Sequence, residues 1–180
     1  MEELEELRQR MLTERPAPWD QRPDLALYMD QVIGYMPRQL IRYGEEEWLT
    51  SAMVNNYIKD GLLPRAEGKR YGREHLAWLT AICALKPVIS MREMSTLFQA
   101  ADGETGDREA EERYGVLRSE LDRALTKVAQ SLDAKTGEGE LAALALRLAL
   151  DSYASKLACQ RVLDIIEAKE PAHEENKKKK

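Results

Sequence analysis

The stretch LTSAMVNNYIKDGLLPRAEGKRYGR, residues 49–73, decides the fold of this 180-residue chain. Thr50 or Ser51 caps a helix that ends in a Gly-Leu-Leu-Pro stop beginning at Gly61. Glycine accepts the left-handed conformation that ends a helix, and proline cannot continue one. A short basic segment follows at residues 68–72, where we predict a tight hairpin. This order of helix, stop and basic turn is typical of a nucleic-acid-reading helix with a wing behind it.

The helix in this stretch has one apolar and one polar face when its residues are placed at about 100° intervals. Val54, Tyr57 and Ile58 point toward a core, and short polar side chains lie on the opposite side. Asparagine can bond both edge atoms of adenine, and lysine suits guanine or phosphate. We therefore predict a DNA-reading face formed by Ser51, Asn55, Asn56 and Lys59. The alternative is an ordinary surface helix, since such helices are polar on their outer side in any protein.

Charge is divided unevenly along the chain. Residues 49–92 hold seven basic and three acidic side chains, a local charge of +4, which leaves −9 for the rest of a chain whose net charge is −5. Salt limits each patch to its own neighbourhood, so an acidic total is compatible with a local basic patch. We predict that this patch holds DNA phosphates through Lys69, Arg70, Tyr71 and Arg73. A solvated turn is the alternative.

Composition excludes several classes of protein. Hydrophobic residues make up 43% and charged residues 33%, and the apolar positions recur at helical spacing, so we expect an all-α fold. The two cysteines have no zinc-ligand spacing, and no phosphate-binding loop or nucleophile–base motif is present. We predict no enzyme activity, no cofactor and no metal. An acidic N-terminus without an apolar signal segment, and apolar runs too short for a bilayer, predict a cytoplasmic protein without membrane contact.

Composition shifts and turn signals divide the chain into four predicted regions. These are an N-terminal arm with a proline-rich connector at 1–23, a DNA-binding domain at 24–101, a hairpin of two long helices at 107–170 and a charged tail at 171–180. Trp19 is expected to anchor the connector, Asp24 to cap the first helix of the domain, and Ser90 with Glu93 to form a capping box. The long helices carry apolar stripes and many alanines. They are a candidate dimerisation region, with packing inside the chain as the alternative.

The segments MVNNYIKDGLLP and GKRYGREHLAWL resemble the winged helix-turn-helix of MerR-type transcriptional regulators. Tyr57 and the Gly-Leu-Leu-Pro sequence after it match the end of that family's recognition helix, and Gly68, Arg70 and Tyr71 match its wing loosely. SMREM, residues 90–94, resembles the start of the family's next helix. Asn55 and the residue after it stand where the family has Arg and Tyr, and the wing is shorter. The resemblance implies a small β-hairpin wing and a long helix that mediates dimerisation.

A closer resemblance links residues 24–98 to an uncharacterised bacterial family of unknown function with a MerR-like fold. It is carried by DLALYMDQV, LTSAMVNNYIKDGLLP and KRYGREHL. Taken together, the resemblances imply a sequence-specific regulator that binds double-stranded DNA, acts as a homodimer and has an unknown effector. The alternative is a helical protein-interaction module that keeps the fold without binding DNA. The acidic total and the absence of arginine from the recognition helix favour that alternative.

Overall fold

The computed structural model describes residues 2–42, 48–105, 110–132 and 138–169. Within these ranges the chain forms α1 (Glu2–Thr13), α2 (Met29–Tyr35), α3 (Ser51–Lys59), α4 (Arg73–Leu85), α5 (Met91–Thr105), α6 (Ala110–Ser131) and α7 (Leu141–Lys169). Short 3₁₀ turns lie at Trp19–Gln21, Met36–Arg38 and Glu138–Glu140. The predicted all-α class is confirmed. None of the described helices combines the length and the apolar character needed to cross a bilayer.

The hydrophobic core is built from α2 to α5 and closed by the C-terminal part of α7. Its fully or almost fully buried side chains include Val32, Val54, Leu76, Leu79, Ile82, Met94 and Leu163. Burying one large aliphatic side chain contributes roughly 1.5–3 kcal/mol. A helix of nine residues such as α3 is too short to be stable alone. The core, and not helix propensity, therefore holds α3 in place.

The N-terminal connector lies against α6, and α1 also packs along that helix. The Tyr114 hydroxyl donates to the Ala17 carbonyl at 2.8 Å, and Arg118 Nε donates to the Pro16 carbonyl at 3.0 Å. The half-buried ring of Trp19 lies 6.2 Å from the Tyr114 ring, centroid to centroid. Trp19 therefore anchors the connector, as predicted.

The predicted β-hairpin wing is wrong, because the described residues contain isolated bridges and no strand. The Arg70 N–H donates to the Glu67 carbonyl at 3.0 Å, and one antiparallel bridge joins these two residues. Tyr71 then exchanges backbone hydrogen bonds of 2.9 and 2.8 Å with Leu27, which lies before α2. Helix α4 begins only two residues later. The chain therefore has no residues left for a second strand, and the predicted wing is a tight turn.

The same pairing shortens α2, which was predicted to start after Asp24. The helix begins at Met29, because Leu27 is held in extended conformation by its bridge to Tyr71. The backbone N–H of Tyr28, the capping residue, donates to Gln31 Oε1 at 2.9 Å. The start of α2 is therefore decided by a contact distant in sequence and not by the local cap.

The capping box predicted at the start of α5 is confirmed. The Ser90 N–H donates to Glu93 Oε2 at 2.7 Å, and the Glu93 N–H donates to Ser90 Oγ at 3.3 Å. The hydrogen bond from the Ser90 backbone N–H, followed by one from the Ser90 side chain, lowers the pKa of the Glu93 carboxyl. The local sequence motif therefore sets this helix start.

The two long C-terminal helices form, and within the described ranges their main contacts are with other helices. Helix α6 packs against α1 and α4, whereas α7 packs against α5. Leu163 of α7 reaches the core, and Arg92 of α5 forms an ion pair with Glu167 of α7. Most of the turn predicted between the helices, and the charged tail at 171–180, lie outside the described residues. Each of the two long helices therefore packs mainly against other helices of the chain.

Candidate nucleic-acid interface

Helix α3 is closed at its N-terminus by Thr50. The Thr50 side-chain oxygen accepts a hydrogen bond from the Met53 N–H at 3.2 Å. Such a cap satisfies one of the four backbone N–H groups that have no partner inside a helix. Of the two candidate caps, Thr50 is the one used, which makes Ser51 the first helical residue.

The C-terminus of α3 is closed by Gly61, which adopts a φ of 75°. The Leu62 N–H donates to the Tyr57 carbonyl at 2.9 Å, and the Gly61 N–H donates to the Ile58 carbonyl at 3.2 Å. These two bonds form a Schellman motif, which needs a residue in the left-handed conformation. Leu62 and Tyr57 are both buried, so the motif also joins the end of the helix to the core. The predicted helix stop is confirmed.

The polar residues of α3 share its exposed face, while Val54 and Tyr57 are buried on the other side. The exposed polar residues of the helix are those predicted to read DNA: Ser51, Asn55, Asn56 and Lys59. In the part of the chain that the structure describes, no hydrogen bond or ion pair engages these four side chains. Their donors and acceptors face solvent, so they can bind an external ligand without first breaking an internal contact.

The basic turn after α3 owes its shape to two residues with positive φ. Gly68 has a φ of 55° and Lys69 a φ of 63°. Positive φ at both central positions, with the bond between Arg70 and Glu67, is typical of a type I′ turn. For lysine this conformation costs roughly 1–2 kcal/mol. The turn leaves Lys69 and Arg70 exposed side by side.

Arg70 and Arg73 are both tied to the segment that precedes α2. Arg70 Nη2 donates to the Tyr28 hydroxyl at 2.9 Å, and its guanidinium carbon lies 4.9 Å from the Tyr28 ring centroid. Arg73 forms an ion pair with Asp24 and donates from Nε to the Arg22 carbonyl at 3.3 Å. Arg70 is therefore held in position at the surface. The charge of Arg73 is already balanced by a neighbouring carboxylate.

Tyr71, predicted to contact phosphate, is only 4% exposed. Its ring packs edge-on against His75 with 5.5 Å between the centroids, and burial raises the pKa of its hydroxyl. His75 Nδ1 accepts from the Gly72 N–H at 3.2 Å, while Nε2 lies 3.3 Å from the Arg65 carbonyl. With Nδ1 as acceptor, Nε2 is the ring nitrogen that faces the Arg65 carbonyl. Both rings lie beneath the turn and support its conformation. The Tyr71 side chain is part of the hydrophobic core.

The structure brings the predicted residues together in two groups. The first is the exposed face of α3, and the second is the pair Lys69 and Arg70 at the turn. No hydrogen bond or ion pair joins the groups within the described ranges. They are connected through α2, because Tyr28 at its start holds Arg70 and α2 packs against α3.

Two positioning residues, Tyr28 and His75, were not predicted from the sequence. Tyr28 stands at helical spacing among apolar residues, and this pattern hides its role as a cap. His75 stands three residues after Gly72, the residue that caps α4, which is the spacing of a capping box. That spacing was the only signal that could have identified His75.

Fold and surface together define an all-helical domain with a capped, outward-facing polar helix beside a basic turn. The chain belongs to the family described as Domain of unknown function (DUF1836), whose model matches residues 17–117. The predicted relation to an uncharacterised domain family is thus confirmed. The match contains α2 to α5 and the start of α6, and so the whole candidate interface. Comparison with curated proteins gave no match, and comparison with solved structures gave none.

Proposed function

We propose that this protein is a sequence-specific, DNA-binding transcriptional regulator of MerR-like type. The observation that carries the proposal is the exposed face of α3, whose polar side chains have no partner among the described residues. A helix enters the major groove with its polar face toward the bases. Helix α3 is rigidly capped at both ends and anchored by buried residues, so it can present this face in a fixed orientation.

The two asparagines discriminate between DNA base sequences. Asn55 and Asn56 each offer one donor and one acceptor group, which matches the N6 and N7 edge of adenine. A good bidentate contact contributes roughly 1–3 kcal/mol of discrimination against a wrong base. Lys59, one turn beyond Asn55, contacts guanine or the adjacent phosphate.

The basic turn contributes the part of the DNA affinity that does not depend on base sequence. Lys69 and Arg70 are exposed cations at adjacent positions, and the contact with Tyr28 restrains the guanidinium of Arg70. A phosphate contact by such a restrained side chain loses less conformational entropy. Phosphate contacts position a protein on the duplex, whereas base contacts specify the site.

We propose a homodimer, so that two copies of α3 meet two half-sites. Support comes from a stripe of side chains on α7 that face solvent. Leu146, Leu150, Tyr153 and Leu157 are 62%, 57%, 65% and 56% exposed and follow one another at intervals of four, three and four residues. This spacing is that of a coiled-coil seam. A second copy of the same stripe would cover these side chains.

The test begins with binding-site selection from genomic DNA, using the purified full chain. Fluorescence anisotropy then measures affinity for the selected site over a series of salt concentrations. We expect the double variant Asn55→Ala/Arg70→Ala to bind at least tenfold more weakly and with a smaller salt slope. Lys127→Ala, on an exposed part of α6, is the control and should behave as the parent protein. Unchanged affinity and slope in the double variant would refute the assignment.

A second candidate function is a helical protein-interaction module without DNA binding. The apolar stripe on α7 favours it, because a different partner protein could cover that stripe just as well as a second copy of this chain. The net charge of −5 also favours it. Heparin chromatography separates the candidates, since a DNA-binding protein is retained and an interaction module elutes early. Failure of the selection to enrich any sequence would favour the module.

A further inference from the structure

A cavity of 310 Å³ that opens to solvent on one side lies between α4, α5 and α6. Its lining is almost entirely apolar, with Ala77 and Ala81 from α4, Phe98 from α5 and Leu117 from α6. The two alanines are buried, and their short side chains leave the space that larger residues would fill. A concave, apolar space with a few polar groups at its edge is the usual form of a small-molecule site.

The volume indicates the size of the ligand. An engineered apolar cavity of about 150 Å³ stays dry and binds benzene. The cavity beside α4 is about twice that size, so it has room for a molecule of two fused rings. Trp78 and Phe98 form part of its wall, with ring centroids 4.8 Å apart and planes at 67°. Aromatic rings of a ligand can pack against these side chains edge-on or offset.

The charged residues at the edge indicate a ligand without charge. Glu74 lies 3.9 Å from the Arg113 guanidinium, and Glu120 lies 2.5 Å from that of Arg123. Each carboxylate at the edge therefore has its own cation. A charged ligand would lose its hydration in the apolar cavity. It would find no unpaired side chain of opposite charge there to compensate this loss, so its binding would be costly.

Trp78 and Phe98 also border a second cavity, of 410 Å³. That cavity is lined by Gly61, Leu62 and Leu63, the residues that end α3. The two aromatic rings thus form a common wall between the first cavity and the C-terminus of the helix with the polar face. A ligand in the first cavity would therefore contact the same two rings that border the end of α3.

We propose that the cavity between α4, α5 and α6 binds a small, neutral, apolar aromatic molecule. Its occupancy is transmitted through Trp78 and Phe98 to the end of α3. Ligand binding and its transmission are properties of the chain alone. Their role as regulation of DNA binding rests on the proposed function.

Three probes with the same ring system and different charge test the site without DNA. Naphthalene-1-methanol is neutral, 1-naphthylmethylamine is a cation and 1-naphthoate is an anion at pH 7. Isothermal titration of the full chain should show one saturable site for the neutral probe and at least tenfold weaker binding of the two charged probes. No binding of the neutral probe up to its solubility, or equal binding of all three, overturns the proposal.

Variants locate the site. Ala81→Leu fills the cavity and should weaken binding of naphthalene-1-methanol at least tenfold. Ala124→Leu makes the same change at an exposed position of α6 and should leave binding unaltered. Thermal melting verifies that each variant is folded, and Ala77→Val, a smaller change in the same cavity, replaces Ala81→Leu if that variant unfolds. Undiminished binding by a folded cavity variant overturns the proposal.

Amide chemical shifts test the transmission. Naphthalene-1-methanol should shift the backbone signals of Gly61, Leu62 and Leu63, and Phe98→Leu should reduce these shifts while the probe still binds. Saturation without any change at these amides overturns the transmission. Adding the probe to the complex with selected DNA should then change the affinity at least threefold. Because the first measurements need no DNA, failure of the DNA-binding function leaves them interpretable.

Discussion

The guanidinium carbon of Arg22 lies 3.9 Å from the centroid of the Tyr114 ring. Arg22 is 2% exposed, and its Nη2 donates to Thr80 Oγ1 at 3.1 Å. Among the described residues, its Nε and Nη1 have no hydrogen-bond partner. Its carbonyl accepts from Arg73, beside the basic turn. One buried cation thus joins the N-terminal connector to α4, to α6 and to the candidate interface.

Replacing Arg22 should destabilise the fold in a way that depends on the substitute. Arg22→Ala removes the contact with the ring and leaves a cavity, so we expect a loss of about 3 kcal/mol. Arg22→Met keeps much of the volume and removes the unpaired nitrogens, so its loss should be clearly smaller. Urea unfolding followed by circular dichroism measures both. A loss below about 0.5 kcal/mol for Arg22→Ala would contradict the structural role, since surface substitutions have effects of that size.

The end of α3 depends on the glycine at position 61. Gly61→Ala forces a side chain into a φ of 75° and should cost about 1 kcal/mol, although no heavy atom lies within 4 Å of the new methyl. Gly115→Ala, in the interior of α6, meets equally open space without positive φ. It should stabilise by about 0.5–1 kcal/mol. Thermal melts compare the two, and equal shifts would show that backbone conformation is not the cause.

Salt dependence should separate the two groups of interface residues. Lys69→Ala removes one phosphate contact, so the slope of log affinity against log salt should fall by about 1. Asn55→Ala removes a base contact and should weaken binding to the selected site without changing that slope. Anisotropy titrations between low and moderate salt give both quantities. The division of roles is wrong if both variants change the slope equally.

The stripe on α7 should control the oligomeric state. Leu150→Glu places a charge in the middle of the stripe and should convert a dimer into a monomer, as sedimentation velocity would show. Ala158→Glu adds the same charge at an exposed position beside the stripe and should leave the dimer intact. A monomeric parent protein would refute the dimer, and a dimer retained by Leu150→Glu would exclude this stripe as its interface.

The two cysteines should differ in reactivity. Burial raises the pKa of the Cys83 thiol to about 11, against a smaller, opposite effect of Lys86 and Arg42, whereas Cys159 is only half-buried. Because only the thiolate reacts readily, Ellman's reagent at pH 8 should label Cys159 fast and Cys83 slowly. Cys159→Ser should abolish the fast phase. Equal rates for both thiols in the folded protein would contradict the burial of Cys83.

The raised pKa also has a consequence for stability. An unfolded cysteine loses its proton near pH 8.5, well below the folded value of about 11. Between these values the folded state holds the proton more tightly. The contribution of Cys83 to the free energy of unfolding is therefore complete below about pH 8.5 and is lost as pH rises toward 11. Cys83→Ser should flatten the fall in denaturation midpoint over that range.

Local sequence was enough to predict α3 and its polar face. The Thr50 cap, the Gly61 stop and the apolar positions Val54 and Tyr57 act within one or two helical turns. Helix periodicity and capping follow from backbone geometry over such short distances, so the pattern alone identifies them. The same holds for the capping box of Ser90 and Glu93 at the start of α5.

Tertiary structure alone decided where α2 starts, why a turn replaces the wing, and which surfaces cover α6 and α7. Leu27 and Tyr71 are 44 positions apart, and their pairing both shortens α2 and replaces the wing by a turn. No local pattern encodes that pairing, because the hydrogen bonds join two segments whose separate preferences are helix and hairpin. The apolar faces of α6 and α7 likewise look alike in sequence, yet one meets α1 and α4 while the other meets α5. Periodicity shows that a face is apolar; which surface covers it depends on how the whole chain packs.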